Sequence, residues 1–129
     1  DRLVVMYAGQ VVETGPVAEI FTHPLHPYTR GLLASIPAYE QTGALRPIPG
    51  GICSLIDPPE GCRFHPRCGH RLPVCSLRRP VGASFGEGTS FGGGGAGRPF
   101  PADDPSGRLA PSGNHIVFCH LYDEGSGPE

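Results

Sequence analysis

The chain has 129 residues, a formal net charge of -2 and an apolar fraction of 38%, below the roughly 45–50% of ordinary globular domains, so one small core is the most it can build. All 10 basic residues are arginine and they are dispersed, which argues against a basic nucleic-acid surface and, with lysine absent, excludes a phosphate-binding loop that sets a lysine ammonium on the terminal phosphates. Twenty glycines and 16 prolines put part of the chain in the compositional range of unstructured segments.

The chain opens at Asp1 with no initiator methionine, no signal peptide and no apolar stretch long enough to span a bilayer, and is expected to be a truncated piece of a cytosolic protein. Leu3 to Tyr7 form an apolar run, Ala8-Gly9 supplies a turn, and Gln10 to Glu13 resumes with Val11 and Val12, which predicts a β-hairpin. Gly15-Pro16 then opens a short helix with Val17, Ile20 and Phe21 at helical spacing, stopped by His23-Pro24. A second helix is predicted from Pro27, with Tyr28, Leu32, Leu33 and Ile36 on one face and Pro37 at its end. In His26-Pro27-Tyr28 the structural reading is that His26 closes the preceding turn, Pro27 starts the helix and Tyr28 packs.

Beyond Pro37 the prolines at 37, 47, 49, 58 and 59 and Gly50-Gly51 read as an irregular connection. Residues 62–80 are rich in cysteine, histidine and arginine, and Phe64, Leu72, Val74 and Leu77 are too few for a conventional core, so something other than burial must order this stretch. Residues 82–113 contain ten glycines and four prolines and read as a flexible insertion, with Gly92 to Gly95 as linker and Asp103-Asp104 as a solvated charge pair. Ile116-Val117-Phe118 returns to a strand-like triplet.

Five cysteines occur, at 53, 62, 68, 75 and 119, and an odd number without a secretory signal argues against a disulfide framework. Cys62, Cys68, Cys75 and Cys119 read as one ligand set, with separate buried thiols as the alternative. No Cys-x-x-Cys turn favours zinc, and the spacings do not match common ferredoxin patterns either, so spacing leaves iron–sulfur and zinc open. His65, His70, His115 and His120 could complete a mixed zinc site, though supporting or surface histidines are the expectation. Arg63, Arg67 and Arg71 either offset thiolate charge or form a solvated basic face. Cys53, on the proline-rich connection, is set aside as a non-ligand.

Taken in order, Asp1 to Pro16, then Glu19-Ile20-Phe21 and His26-Pro27-Tyr28-Thr29-Arg30-Gly31-Leu32-Leu33 resemble ATP-binding subunits of the oligopeptide/dipeptide branch of ABC importers, with their His-Pro-Tyr extension. The resemblance continues through Ile48-Pro49-Gly50, Pro58-Pro59, Gly61 to Cys68, Cys75 and Val117 to Leu121. It implies an α+β fold: the terminal β-hairpin of a nucleotide-binding domain, short helices and a small irregular cysteine-rich extension. The implied division is the end of the ATP-binding domain over 1–24, the extension over 25–80, a disordered glycine-rich insertion over 81–113, a return strand over 114–123 and a tail over 124–129. The glycine-rich stretch is longer than the family usually has there.

For function, the resemblance implies a piece of a subunit that energises peptide import. Its partners would be a second ATP-binding subunit and membrane permeases, at the cytoplasmic side of the plasma (inner) membrane, peripheral, with no nucleic acid and no direct insertion. Cys62, Cys68, Cys75 and Cys119 would hold a 4Fe-4S cluster in a regulatory or structural extension. ATP and Mg would belong to the intact parent, since the phosphate-binding loop, signature motif and switch histidine are missing here; no catalytic residue is expected. A small zinc-binding interaction module is the alternative, and a redox thiol protein the third reading.

Overall fold

The computed structural model describes residues 1–36, 46–85 and 115–122. Two strands, β1 (Arg2–Tyr7) and β2 (Gln10–Pro16), form the expected hairpin, followed by α1 (Val17–Thr22) and α2 (Pro27–Ala34). Single 3-10 turns over His65–Arg67 and Pro73–Ser76 punctuate the cysteine-rich stretch, and β3 (Gly82–Phe85), β4 (His115–Phe118) and a 3-10 turn over His120–Tyr122 complete the described chain. The strands make one antiparallel sheet in the order β1-β2-β4-β3, so the class is α+β.

The hairpin turn has positive φ at both central residues, 50° at Ala8 and 79° at Gly9, the arrangement whose twist suits a two-residue hairpin. Glycine adopts it freely and alanine does not, so Ala8→Gly is expected to stabilise the fold by about 1 kcal/mol, read as a higher urea midpoint at unchanged m-value.

Pairing runs Val5↔Glu13 and then Met6↔Val11, leaving Val12 as a bulge. Cross-strand partners share a face, so Glu13 lies on the face of Val5 and Tyr7, and Val12 is buried as well. Val4 and Met6, on the other face, are more than half exposed. Strict alternation would have sent Glu13 to the face opposite Val12, and the bulge undoes that.

Both helices begin and end where the sequence predicts, within a residue or two. Pro27 sits in the first turn of α2, and His26 caps it, its Nδ1 accepting from the Tyr28 N–H at 3.0 Å. Ile20 and Leu33 are buried, whereas Phe21, Leu32 and Ile36 stay partly exposed. Gly31 faces Ile48 so closely that a Cβ there would lie 2.8 Å from Ile48 Cγ1, so the mid-helix glycine admits the side chain of a distant loop.

One core cluster gathers Val5, Tyr7, Val12, Ile20 and Phe64, with Tyr28, Cys53, Cys62 and Cys68 against it. Its centre is aromatic: Tyr7 meets Tyr28 at 4.8 Å and Phe64 at 5.2 Å between centroids, both edge to face, the favoured geometry for such pairs. A second cluster joins Leu25, Val117 and Cys119. The connection after residue 45 is tied down by Arg67, which donates to the carbonyls of Ile48 and Pro49, both at 3.0 Å.

One boundary differs from expectation. Residues 82–85, at the start of the stretch read as flexible, form β3, whose pairing with β4 runs from Gly82↔Phe118 to Phe85↔His115. Four residues in a ladder with a buried strand overcome a weak local propensity. Gly92 to Gly95 and Asp103-Asp104 lie outside the described residues.

Candidate functional site

Three separate pieces of chain bring the predicted cysteines into one neighbourhood. Gly61, at φ 69°, lets the chain turn against the next cysteine segment, and the Cys62 N–H donates to the Cys75 carbonyl at 2.8 Å. The 3-10 turn His65–Arg67 sets Cys68 after it, and Pro73–Ser76 carries Cys75. Cys119 follows β4 directly, and the Tyr122 N–H donates to its carbonyl at 3.0 Å.

The Leu72 N–H donates to Cys75 Sγ at 3.3 Å, and neighbouring backbone N–H groups, of Phe64 and His65 on Cys62, His70 on Cys68 and Leu121 on Cys119, act to lower those thiols. Such donors favour thiolate over thiol. Burial acts the other way and dominates, pushing the Cys62 and Cys68 thiols up and that of Cys119 up to about 12. The thiols also raise one another: Cys119 feels Cys62, Cys68 and Cys75, and Cys62 feels Cys75 and Cys68. All five cysteines are free thiols. Among the described residues no group of three or more His, Cys, Asp or Glu side chains is arranged to hold a metal ion. The four thiols are thus close enough to influence one another's ionisation. Cys53, like Cys62 and Cys68, is a half-buried thiol packed against the aromatic cluster.

The histidines divide. His65 Nδ1 lies 2.8 Å from the Cys62 carbonyl, His120 Nε2 lies 2.7 Å from the Arg78 carbonyl, and His70 is exposed. His115 is not a surface histidine: it is fully buried with Nε2 2.6 Å from Glu13 Oε1. The arginines also do more local work than expected. Arg63 donates to the Ala8 carbonyl, Arg67 grips Ile48 and Pro49, and Arg71 acts on Cys68, favouring its thiolate.

Glu13 is the residue that the sequence reading missed. Its carboxylate is fully buried, and it accepts from the Leu25 N–H at 2.8 Å, the His26 N–H at 3.0 Å and His115. Burial alone would raise its pKa; the bonds from His115, Thr29, Leu25 and His26 outweigh this and leave it lowered. His115 Nδ1 lies 3.5 Å from Glu19 Oε2, so the imidazole spans two carboxylates. One acid therefore joins the hairpin, the entry to α2 and the return strand.

This buried polar region makes stability pH-dependent. Burial lowers His26 to about 4, against partial compensation from Glu13, and its Nε2 has no hydrogen-bond partner among the described residues. Between pH 6.5 and 4 the unfolded chain binds a proton at His26 that the folded chain does not, so stability falls as pH falls, by about 3 kcal/mol across the window. Glu13, lowered as well, loses its contribution further down, below its ordinary value of 4.5. Urea midpoints between pH 7 and 4 are expected to show this slope, and His26→Asn, which keeps a helix cap and removes the titration, is expected to flatten it.

Residues 12–75, about half of the chain, match the family model described as oligopeptide/dipeptide transporter, C-terminal region. The chain is 38% identical over 126 residues to a dipeptide transport ATP-binding protein of Caldanaerobacter subterraneus, spanning 97% of this chain and 31% of that protein. It is 50% identical over 82 residues to a putative peptide import ATP-binding protein of Brucella abortus, 63% of this chain and 25% of the relative. A putative peptide import ATP-binding protein of Brucella ovis is 44% identical over 94 residues, 67% and 28%. The chain spans about a quarter to a third of these relatives' length. No described helix is long and apolar enough to cross a membrane. With the His-Pro-Tyr segment capping and opening α2 inside the matched region, the chain belongs to the family of oligopeptide/dipeptide transporter C-terminal regions.

Proposed function

We propose that this chain is the carboxy-terminal part of an ATP-binding subunit that energises oligopeptide or dipeptide import by an ABC transporter, and that Cys62, Cys68, Cys75 and Cys119 hold a 4Fe-4S cluster. ATP and Mg bind elsewhere in the parent subunit, whose partners are a second ATP-binding subunit and the membrane permeases at the cytoplasmic face. This stretch adds no catalytic group of its own. Its contribution is to shape the subunit.

The observation that carries the cluster assignment is the set of four interacting thiols, with the Leu72 N–H donating to Cys75 and backbone N–H groups acting on the other three. Hydrogen bonds to sulfur are a standard means of tuning cluster thiolates. A single zinc ion would need its thiolates drawn to about 2.3 Å from one centre, and the resemblance of the cysteine pattern favours the cluster over zinc. The bound cluster would supply a crosslink between residues 62–75 and residue 119. Because burial holds the Cys62, Cys68 and Cys119 thiols high in pKa, loading releases protons and weakens as pH falls.

Anaerobic reconstitution of the full chain with iron and sulfide, followed by metal and acid-labile sulfide analysis and visible spectroscopy, tests the assignment. Bound iron, sulfide and thiolate charge-transfer absorption, all lost when Cys119→Ser is introduced, are expected. Zinc without sulfide would replace the cluster with the zinc module, and the absence of any metal would remove the assignment.

A further inference from the structure

The segment 116–118, Ile-Val-Phe, is apolar at every position. A strand whose two faces are both apolar does not set its own register, because a one-residue slip exchanges one apolar face for another. Yet the register matters here. Cys119 follows Phe118 immediately, so a slip moves it by about 3.3 Å along the strand and turns it to the opposite face. The ladder between β2 and β4 is short, with Glu13↔Val117 and Thr14↔Ile116 as its pairs, and β4 is reached across residues 86–114, too long a connection to dictate register through turn geometry.

We infer that Glu13 and His115 are positioning residues for the thiol set: their buried pair pins β4 in a single register and so delivers Cys119 to Cys62, Cys68 and Cys75. His115 is the one strongly polar side chain on the otherwise apolar strand 115–118, and a slip by one residue would turn its ring away from Glu13. The place prepared for that ring fits no bulkier neighbour, since a Cβ on Gly15 would lie 3.1 Å from His115 Cδ2. Glu13 Oε1 meets one ring nitrogen at 2.6 Å, and Glu19 Oε2 lies 3.5 Å from the other. Glu13 is itself held by the Leu25 and His26 N–H groups, and Tyr122 donates to the Leu25 carbonyl at 2.9 Å. The return segment is thereby fastened on both sides of Cys119, at 115 and at 122. A buried polar pair that fixes register at some cost in stability is an established use of such groups.

The inference rests on the cluster reading for the identity of the thiol set, but its test reads register and thiol protection in the metal-free, reduced full chain. The double variant E13L/H115L replaces the pair by apolar groups and is expected to fold while losing the single set of backbone cross-strand NMR contacts between 13–14 and 116–117. Iodoacetamide alkylation of Cys119, followed by mass spectrometry, is expected to speed up about ten-fold, because local opening governs access to a buried thiol. E13Q keeps the side-chain volume but cannot accept from all three donors, and serves if the double variant does not fold; its expected change is in the same direction. H115Q, which retains an N–H toward Glu13, is expected to keep both readouts closer to wild type than E13L/H115L does. Unchanged cross-strand contacts and unchanged Cys119 protection in E13L/H115L or, should that variant not fold, in E13Q overturn the inference. If the wild-type chain binds no iron yet the variants lose register and protection, the cluster reading falls and the positioning role stands.

Discussion

Replacement of Glu13 by alanine is expected to cost the fold about 3–5 kcal/mol, since it removes a buried carboxylate that three buried donors share. The size follows from what is left behind. The Leu25 and His26 N–H groups and the His115 ring, all buried, lose their shared acceptor at once, and each unsatisfied buried donor costs about 1–3 kcal/mol. A chain of this composition has little stability to lose, since whole domains are stable by only about 5–15 kcal/mol. Urea unfolding followed by circular dichroism measures the loss; a midpoint within error of wild type would show that the carboxylate is not the hub of the three segments. Single removal is expected to be worse than the paired apolar replacement E13L/H115L, because the latter leaves fewer orphaned groups.

Gly61→Ala is the second large effect, acting where the Cys62 segment meets the Cys75 segment. A Cβ at residue 61 would lie 2.3 Å from the Cys75 carbonyl oxygen and 3.0 Å from the Ser76 carbonyl carbon, and these are backbone atoms with no rotamer to yield. The position also has φ 69°, which costs a residue with a Cβ about 1–2 kcal/mol. With the displacement of the 75–76 backbone the total is expected to be about 3 kcal/mol. The same substitution should break the Cys62 N–H bond to Cys75 and, on the cluster reading proposed above, depress iron retention after reconstitution. Gly51→Ala provides the control: nothing lies within 4 Å of a Cβ there, and a change within about 0.5 kcal/mol is expected. Equal stability and equal iron content for G61A and G51A would refute the role of Gly61.

The features legible in the sequence were those encoded over a few residues. Ala8-Gly9 between two apolar runs, Pro16 before Val17, and His26-Pro27 before Tyr28 each set backbone geometry locally, and the hairpin and both helices lie where these signals put them. The ordered series of short motifs pointed to the family, because no single one is specific but their order is. Glu13 could not be read in the same way. Beside the apolar Val12 it looks like the outward partner of an alternating strand, and only the bulge opposite Val5 and Met6 turns both inward. A charged residue within an apolar run was the one signal available, and it carries no information about its partners.

What the sequence by itself determined, then, is the start and stop of each early element, the free thiol inventory and the absence of a lysine-bearing phosphate loop. The tertiary structure decided that β4 inserts between β2 and β3, that residues 82–85 are a strand, that Arg67 holds the Ile48-Pro49 connection, and that Glu13 meets His115 across 102 positions of chain. The division has a physical cause. Caps, prolines and positive-φ turns are satisfied by near neighbours, so their chemistry is written in adjacent residues. Buried donors and acceptors are satisfied by whichever segment packing brings alongside, and an all-apolar strand such as 116–118 leaves that choice, and with it the place of Cys119, to contacts that exist only in the folded chain.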